Sequence, residues 1–207
     1  MKKVYLFHLG VLIYILFMYV TQEIFSFMAL NVFLAWLPII FGQLVLVLKK
    51  NWRWVAVPIW LLFFPNIPYL LTDLFHFAGL TIYQPEGHFL NNSSEWWAYF
   101  SLLLPVLIMV FIGMSQVFKL FRCIEEITVV KKIGGFILLA VLSSLAIYVG
   151  RFERIHSIEL LFQPITVFQL LVGNWSLEKS QFVLMFSILQ LGIWTLIYFL
   201  QQNAQEE

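Results

Sequence analysis

An aspartate and a histidine three residues apart, Asp73 and His76, and two arginines three residues apart, Arg151 and Arg154, are the residues of this chain best suited to chemistry. On a helix, residues at i and i+3 share a face. A carboxylate beside an imidazole is the pattern of an oriented general base. Two neighbouring guanidiniums hold a phosphate or carboxylate through forked hydrogen bonds. Asn66, Thr72, His156, Ser157 and Glu159 complete the candidate set. Asp73, His76, His156 and Glu159 are of the ligand types that bind Zn, Mn or Fe. D-x-x-H is far less specific than H-E-x-x-H, however, and no elbow motif frames Ser157 as a nucleophile. No metal, cofactor or catalytic residue is assigned.

The elements that must position these residues follow from composition. Of 207 residues 62% are hydrophobic and 11% charged, against roughly 45–50% and 25% in soluble domains. No soluble fold has the core volume for this apolar content. A net charge of +1 gives no electrostatic drive toward nucleic acid. One cysteine, Cys123, excludes a disulfide framework. There is no Walker loop and no G-x-G-x-x-G, so the chain does not power anything by nucleotide hydrolysis itself.

A spanning helix needs about 20 mostly apolar residues. Six stretches free of Asp, Glu, Lys and Arg qualify: Val4–Thr21, Ile24–Leu48, Trp54–Leu71, Trp96–Phe118, Ile133–Gly150 and Ser180–Leu200. Backbone groups in lipid must be satisfied internally, so these read as helices. The expected fold is all-α, a single polytopic bundle over residues 1–207 with six transmembrane helices and the lipid bilayer as its partner. The first stretch is read as an uncleaved helix, because no A-x-A-like site follows it. Residues 158–172 are apolar but interrupted by Gln163, Pro164 and Gln169, which suits an interfacial or re-entrant helix better than a seventh span. Lys119–Lys132 reads as a basic connector or a short helix on the membrane surface. Ala140-x-x-x-Ser144 and Ala146-x-x-x-Gly150 give the fifth span a small-residue face for close packing.

Orientation follows the positive-inside rule. With the N-terminus inside, Lys2, Lys3, Lys49, Lys50, Arg53, Lys119, Arg122, Lys131 and Lys132 are cytoplasmic, nine of the twelve basic residues. Arg151, Arg154 and Lys179 lie outside. Both termini are therefore expected in the cytoplasm of a cell-membrane protein. Trp52, Trp54, Trp96, Trp97 and Trp175 fall at or near span ends, where an aromatic belt sits.

The third span carries Pro58, Pro65 and Pro68, with Asn66 between the last two. Proline removes a backbone donor and clashes with the preceding turn, so this helix should be kinked or unwound near its outer end. The freed carbonyls need partners, such as the Asn66 amide. Asp73 follows immediately. An aspartate in the bilayer costs up to about 2.5–3.5 kcal/mol, and Arg151 or Arg154 is the expected partner.

The run Pro65-Asn66-Ile67-Pro68-Tyr69-Leu70-Leu71-Thr72-Asp73-Leu74-Phe75-His76 resembles the P-N-x-P-Y-x-x-T-D-L-x-H signature of a bacterial integral membrane family, domain of unknown function 1361. A second family block, roughly G-R-F-x-R-W-N-S-W-D, is similar to Gly150–Glu159, with Ile155, His156, Ile158 and Glu159 departing from it. The resemblance implies a membrane protein of similar length and supplies no reaction. The polar cluster is read first as a structural latch, in which Asp73 pairs with an arginine and His76 caps a backbone group. The alternatives are binding or transport of an anionic lipid or cell-envelope precursor, a metal- or His-dependent membrane hydrolase, and a subunit serving a membrane-protein partner.

Overall fold

The structure, a computed structural model, describes residues 2–21, 24–84, 87–123, 128–154, 162–173 and 175–206, with side chains from Val4 to Ala204. Helices α1 (Lys2–Thr21), α2 (Met28–Val47), α3 (Lys50–Phe63) and α4 (Asn66–Asp73) are followed by a 3-10 helix, Leu74–Gly79. Then come α5 (Ser93–Arg122), α6 (Val129–Phe152), α7 (Pro164–Val172) and α8 (Leu177–Glu206). Among the described residues, six helical runs are long and apolar enough to cross a membrane: α1, α2, the continuous Lys50–Gly79 run, α5, α6 and α8. The protein is an all-α multi-pass membrane bundle.

Several boundaries differ from the sequence expectation. The second helix starts at Met28, not Ile24. Before it, Phe25, Ser26 and Phe27 accept from Met28, Ala29 and Leu30, each three residues on, forming a tight turn that aims two phenylalanines across the bundle. The third span does not stop at Leu71 but carries Asp73 on its last α-turn. Lys119–Lys132, expected as a basic connector or a short surface helix, is mostly the continuation of α5 through Arg122 and the start of α6 at Val129; residues 124–127 lie outside the described set. Helix α7 has nine residues, about 14 Å at 1.5 Å per residue, half the roughly 30 Å apolar thickness. It does not span, and the 158–161 part of that expected segment lies outside the described residues.

The proline-rich break is a kink rather than an unwound stretch. Phe64 and Pro65 keep right-handed helical dihedrals, φ/ψ of −51/−41 and −57/−23. Pro68 lies in the first turn of α4, where a backbone donor has no intrahelical partner anyway. Its missing donor is replaced one residue earlier, since Ile67 N donates to Phe64 O at 3.0 Å. The Asn66 side-chain amide donates to Phe63 O at 2.9 Å. That contact satisfies a carbonyl that the i+4 ladder leaves open.

The helices form two groups. Helix α2 packs on α1, α3, α4 and α5, while α6 packs chiefly on α8. The first group is tied internally by polar contacts as well as by its apolar core. Trp36 Nε1 donates to His8 Nδ1 at 2.8 Å, so His8 Nε2 carries the proton and donates to Gln43 Oε1 at 3.0 Å. Gln116 on α5 donates to Ile39 O at 2.9 Å, its amide lying flat against Gly42 of α2. Ala140, Ser143 and Ser144 are buried as the small-residue face of α6, whereas Ala146 and Gly150 are only half-buried. Facing them, Gln190 of α8 donates to Ser144 Oγ at 2.8 Å and accepts from Ser143 Oγ at 2.7 Å. The two groups meet where Trp194 Nε1 donates to Met114 O at 3.1 Å and where α4 touches α6.

Gly113 marks the closest approach of α5 to α4. A Cβ there would lie 2.6 Å from Ile67 Cδ1 and 2.8 Å from its Cγ2, and Ile67 is fully buried with no room to yield. Gly113→Ala is expected to destabilise the detergent-solubilised protein by about 1–3 kcal/mol. Gly134→Ala, on α6 with open space around it, should be neutral or stabilising by up to about 1 kcal/mol. Thermal unfolding of the two variants side by side checks the pair.

Candidate functional site

The last turn of α4 delivers Asp73 into the bundle with 0% of its surface exposed. An ionised carboxylate without water needs donors from the protein, and two other helices supply them. From α2, Asn31 Nδ2 donates to Oδ2 at 2.8 Å. From α6, Arg151 Nη1 donates to Oδ1 at 3.3 Å. The same guanidinium reaches Tyr69 Oη at 3.4 Å and Thr72 O at 3.3 Å, so it grips two turns of α4 at once. Its carbon also lies 5.8 Å from the Tyr69 ring centroid, within cation–π range.

Thr72 and His76 close the local backbone. Thr72 is buried and its hydroxyl donates to Tyr69 O at 2.7 Å, which leaves its own carbonyl for Arg151. His76 Nδ1 lies 2.9 Å from Asp73 O; a carbonyl only accepts, so Nδ1 carries the proton. The ring packs on Phe27 at a centroid distance of 4.5 Å. Its separation from Asp73 Oδ1 is 4.0 Å, too long for a hydrogen bond. The pair is thus not an aspartate-oriented base: the carboxylate is engaged by Asn31 and Arg151, and the imidazole by the main chain. The guanidinium against Oδ1 also sets a positive charge where a metal ion would have to bind.

The structure brings Thr72, Asp73, His76 and Arg151 together and leaves Asn66 one to two turns away, at the kink. Arg154 does not join them. It is exposed, has a positive φ of 57°, and forms no ion pair among the described residues. A non-glycine residue in the left-handed region is uncommon, and here it ends α6 one residue after its cap. His156, Ser157 and Glu159 lie outside the described residues. No group of three or more His, Cys, Asp or Glu suited to a metal occurs among the described residues.

Asn31 and Tyr69 were not singled out from the sequence. Asn31 is, with Gln43, one of two side-chain amides in a mostly apolar second span, a cue of the same kind as Asp73, since polar groups in lipid need partners. Tyr69 is the tyrosine of the signature run Pro65–His76.

A fully buried cation was also missed. Lys179, in the first turn of α8, is 1% exposed. Its ammonium donates to Leu170 O at 2.8 Å, Gly173 O at 2.9 Å and Leu171 O at 3.1 Å. These are carbonyls at the C-terminal end of α7, where an α-helix leaves acceptors open and its dipole is negative. The three hydrogens of the ammonium are matched to three acceptors. Trp175 and Tyr148 flank the charge at 4.9 Å and 5.7 Å.

The chain belongs to the family described as "Protein of unknown function (DUF1361)", whose profile matches residues 30–193 and so contains Asn31, Asp73 and Arg151. No curated protein and no solved structure matches the chain.

Lys179→Met should strand those carbonyls while keeping the apolar stem. The expected result is faster amide hydrogen exchange across 164–172, with α5 unchanged. Unaltered protection of α7 would show that its apolar contacts alone hold it.

Proposed function

We propose that this multi-pass membrane protein of unestablished activity uses the Asp73 cluster as a latch. The latch fastens the α6–α8 pair to the five-helix group α1–α5. The observation that supports it is a carboxylate with no exposed surface, bonded to Asn31 of α2 and to Arg151 of α6. The latch is a structural device serving a membrane-embedded scaffold. A hydrolase built on Asp73 and His76 is the weaker reading, because neither group is set to activate water.

The proposed setting is a cell membrane with both termini cytoplasmic. The helices alternate direction, so the ends bearing Lys2, Lys3, Lys49, Lys50, Arg53, Lys119, Arg122, Lys131 and Lys132 collect on one side, opposite Asp73 and Arg151. That side is assigned to the cytoplasm. The exposed Trp96, Trp97 and Trp175 lie toward the Asp73 end, and Trp52 and Trp54 toward the basic end, as two interfacial belts would.

Removing Asp73 alone leaves a partly buried guanidinium unpaired. Asp73→Ala is expected to cost about 3–5 kcal/mol, and Asp73→Leu combined with Arg151→Met should recover much of that. Thermal unfolding in detergent measures both. A double variant no more stable than the single one would sink the latch reading. A reporter active only in the cytoplasm, fused after Glu207, should give signal; activity from a reporter of the opposite compartment instead would reverse the topology.

A further inference from the structure

An apolar groove of about 390 Å³ lies between the two helix groups, within the roughly 300–1,000 Å³ of small-molecule sites. Leu139, Leu142 and Val149 line it along α6, Leu61 of α3 and Pro65 of the kink line it opposite, and Val167, Leu171 and Trp175 form the side made by α7 and the segment after it. We propose that this groove holds one acyl chain of an anionic phospholipid, whose phosphate rests on Arg151 and Arg154.

Length, polarity and charge each point to that occupant. Leu139 to Val149 is ten residue steps along α6, about 15 Å, which is half the apolar thickness of a bilayer and so the depth of one leaflet. The sole hydroxyl on the lining, Ser143, is already committed to Gln190. The groove therefore offers nothing to a polar ligand and suits a hydrocarbon tail. Its mouth is different. Tyr69 stands one turn beyond Pro65 on the same face, and its hydroxyl accepts from Arg151. Arg151 sits two residues past Val149, and its side chain is 26% exposed. Three of its five N–H groups go to Asp73, Tyr69 and Thr72. Among the described residues the other two have no partner, a pair suited to the forked geometry of a phosphate. Arg154 is exposed at the same end. A lipid whose tail fills the groove puts its phosphate at the level of these two cations. Trp175 lines the same end and favours the headgroup region.

The inference does not depend on the latch, because it concerns the free donors of Arg151 and the groove, and its readouts are lipid mass and label position rather than stability. The purified chain is titrated with phosphatidylglycerol or phosphatidylcholine of identical tails and read by native mass spectrometry. One bound phosphatidylglycerol is expected at about tenfold higher affinity, because phosphatidylcholine offers the same phosphate but adds a choline cation that the two guanidiniums repel. Arg154→Gln should shrink that preference, and Ala146→Phe, which fills the groove from α6, should weaken both lipids about tenfold. Phosphatidylglycerol with a diazirine on its tail should label Leu142, Ala146 or Leu171 in the unaltered protein, a readout that needs no variant to fold. Equal retention of the two lipids by the parent chain overturns the proposal. So does label confined to the outer faces of α1 and α8.

Discussion

A charge that water cannot reach must be neutralised by neighbours, and in this protein that requirement sets how the helices meet. Asp73 contributes no surface to solvent, and its two oxygens draw an amide from α2 and a guanidinium from α6. Neither partner is adjacent in sequence, so meeting the charge fixes the mutual height and rotation of three helices. Apolar packing alone is a weak guide inside a bilayer, because lipid tails compete on equal terms for leucine and phenylalanine. Directional polar contacts choose among otherwise similar packings. The same logic recurs without charge at Ser143, Ser144 and Gln190, which hold α6 to α8, and at His8, Trp36 and Gln43, which hold α1 to α2.

The prolines serve this arrangement. A straight third helix would carry Asp73 along its original axis. The kink at Phe64–Pro65 changes that direction while leaving little backbone unsatisfied, since Asn66 turns back to Phe63 O and Ile67 substitutes for Pro68 as donor. Local sequence thus supplies both the bend and its repair within four residues. Arg151 closes the arrangement from the other group by holding Thr72 O and Tyr69 Oη as well as the carboxylate.

The spans were legible because lipid imposes a length and an apolar composition that few other environments demand. The kink and its Asn66 repair were legible because proline acts locally. The pairing of Asp73 with an arginine could be anticipated from cost alone, but not the choice of Arg151 over Arg154. That choice depends on where α6 ends, and Arg154 falls past the cap in a left-handed conformation that periodicity does not encode. Asn31 was hidden because its nearest fellow amide, Gln43, lies twelve residues on in an apolar helix and the two form no motif. Lys179 was hidden for a different reason: it looks like an ordinary interfacial lysine until α7 folds back to offer its carbonyls.

The separations along the chain impose an order on biogenesis. Asn31 precedes Asp73 by 42 residues, whereas Arg151 follows it by 78. When the third helix leaves the translocon its aspartate finds an amide partner already in place, but the cation that will neutralise it has not yet been synthesised. The early hairpin of α2 and α4 must therefore tolerate a carboxylate held by a neutral donor until α6 arrives. Attachment of the α6–α8 pair is then more than the addition of two helices, because it removes the electrostatic debt left by the first half of the chain.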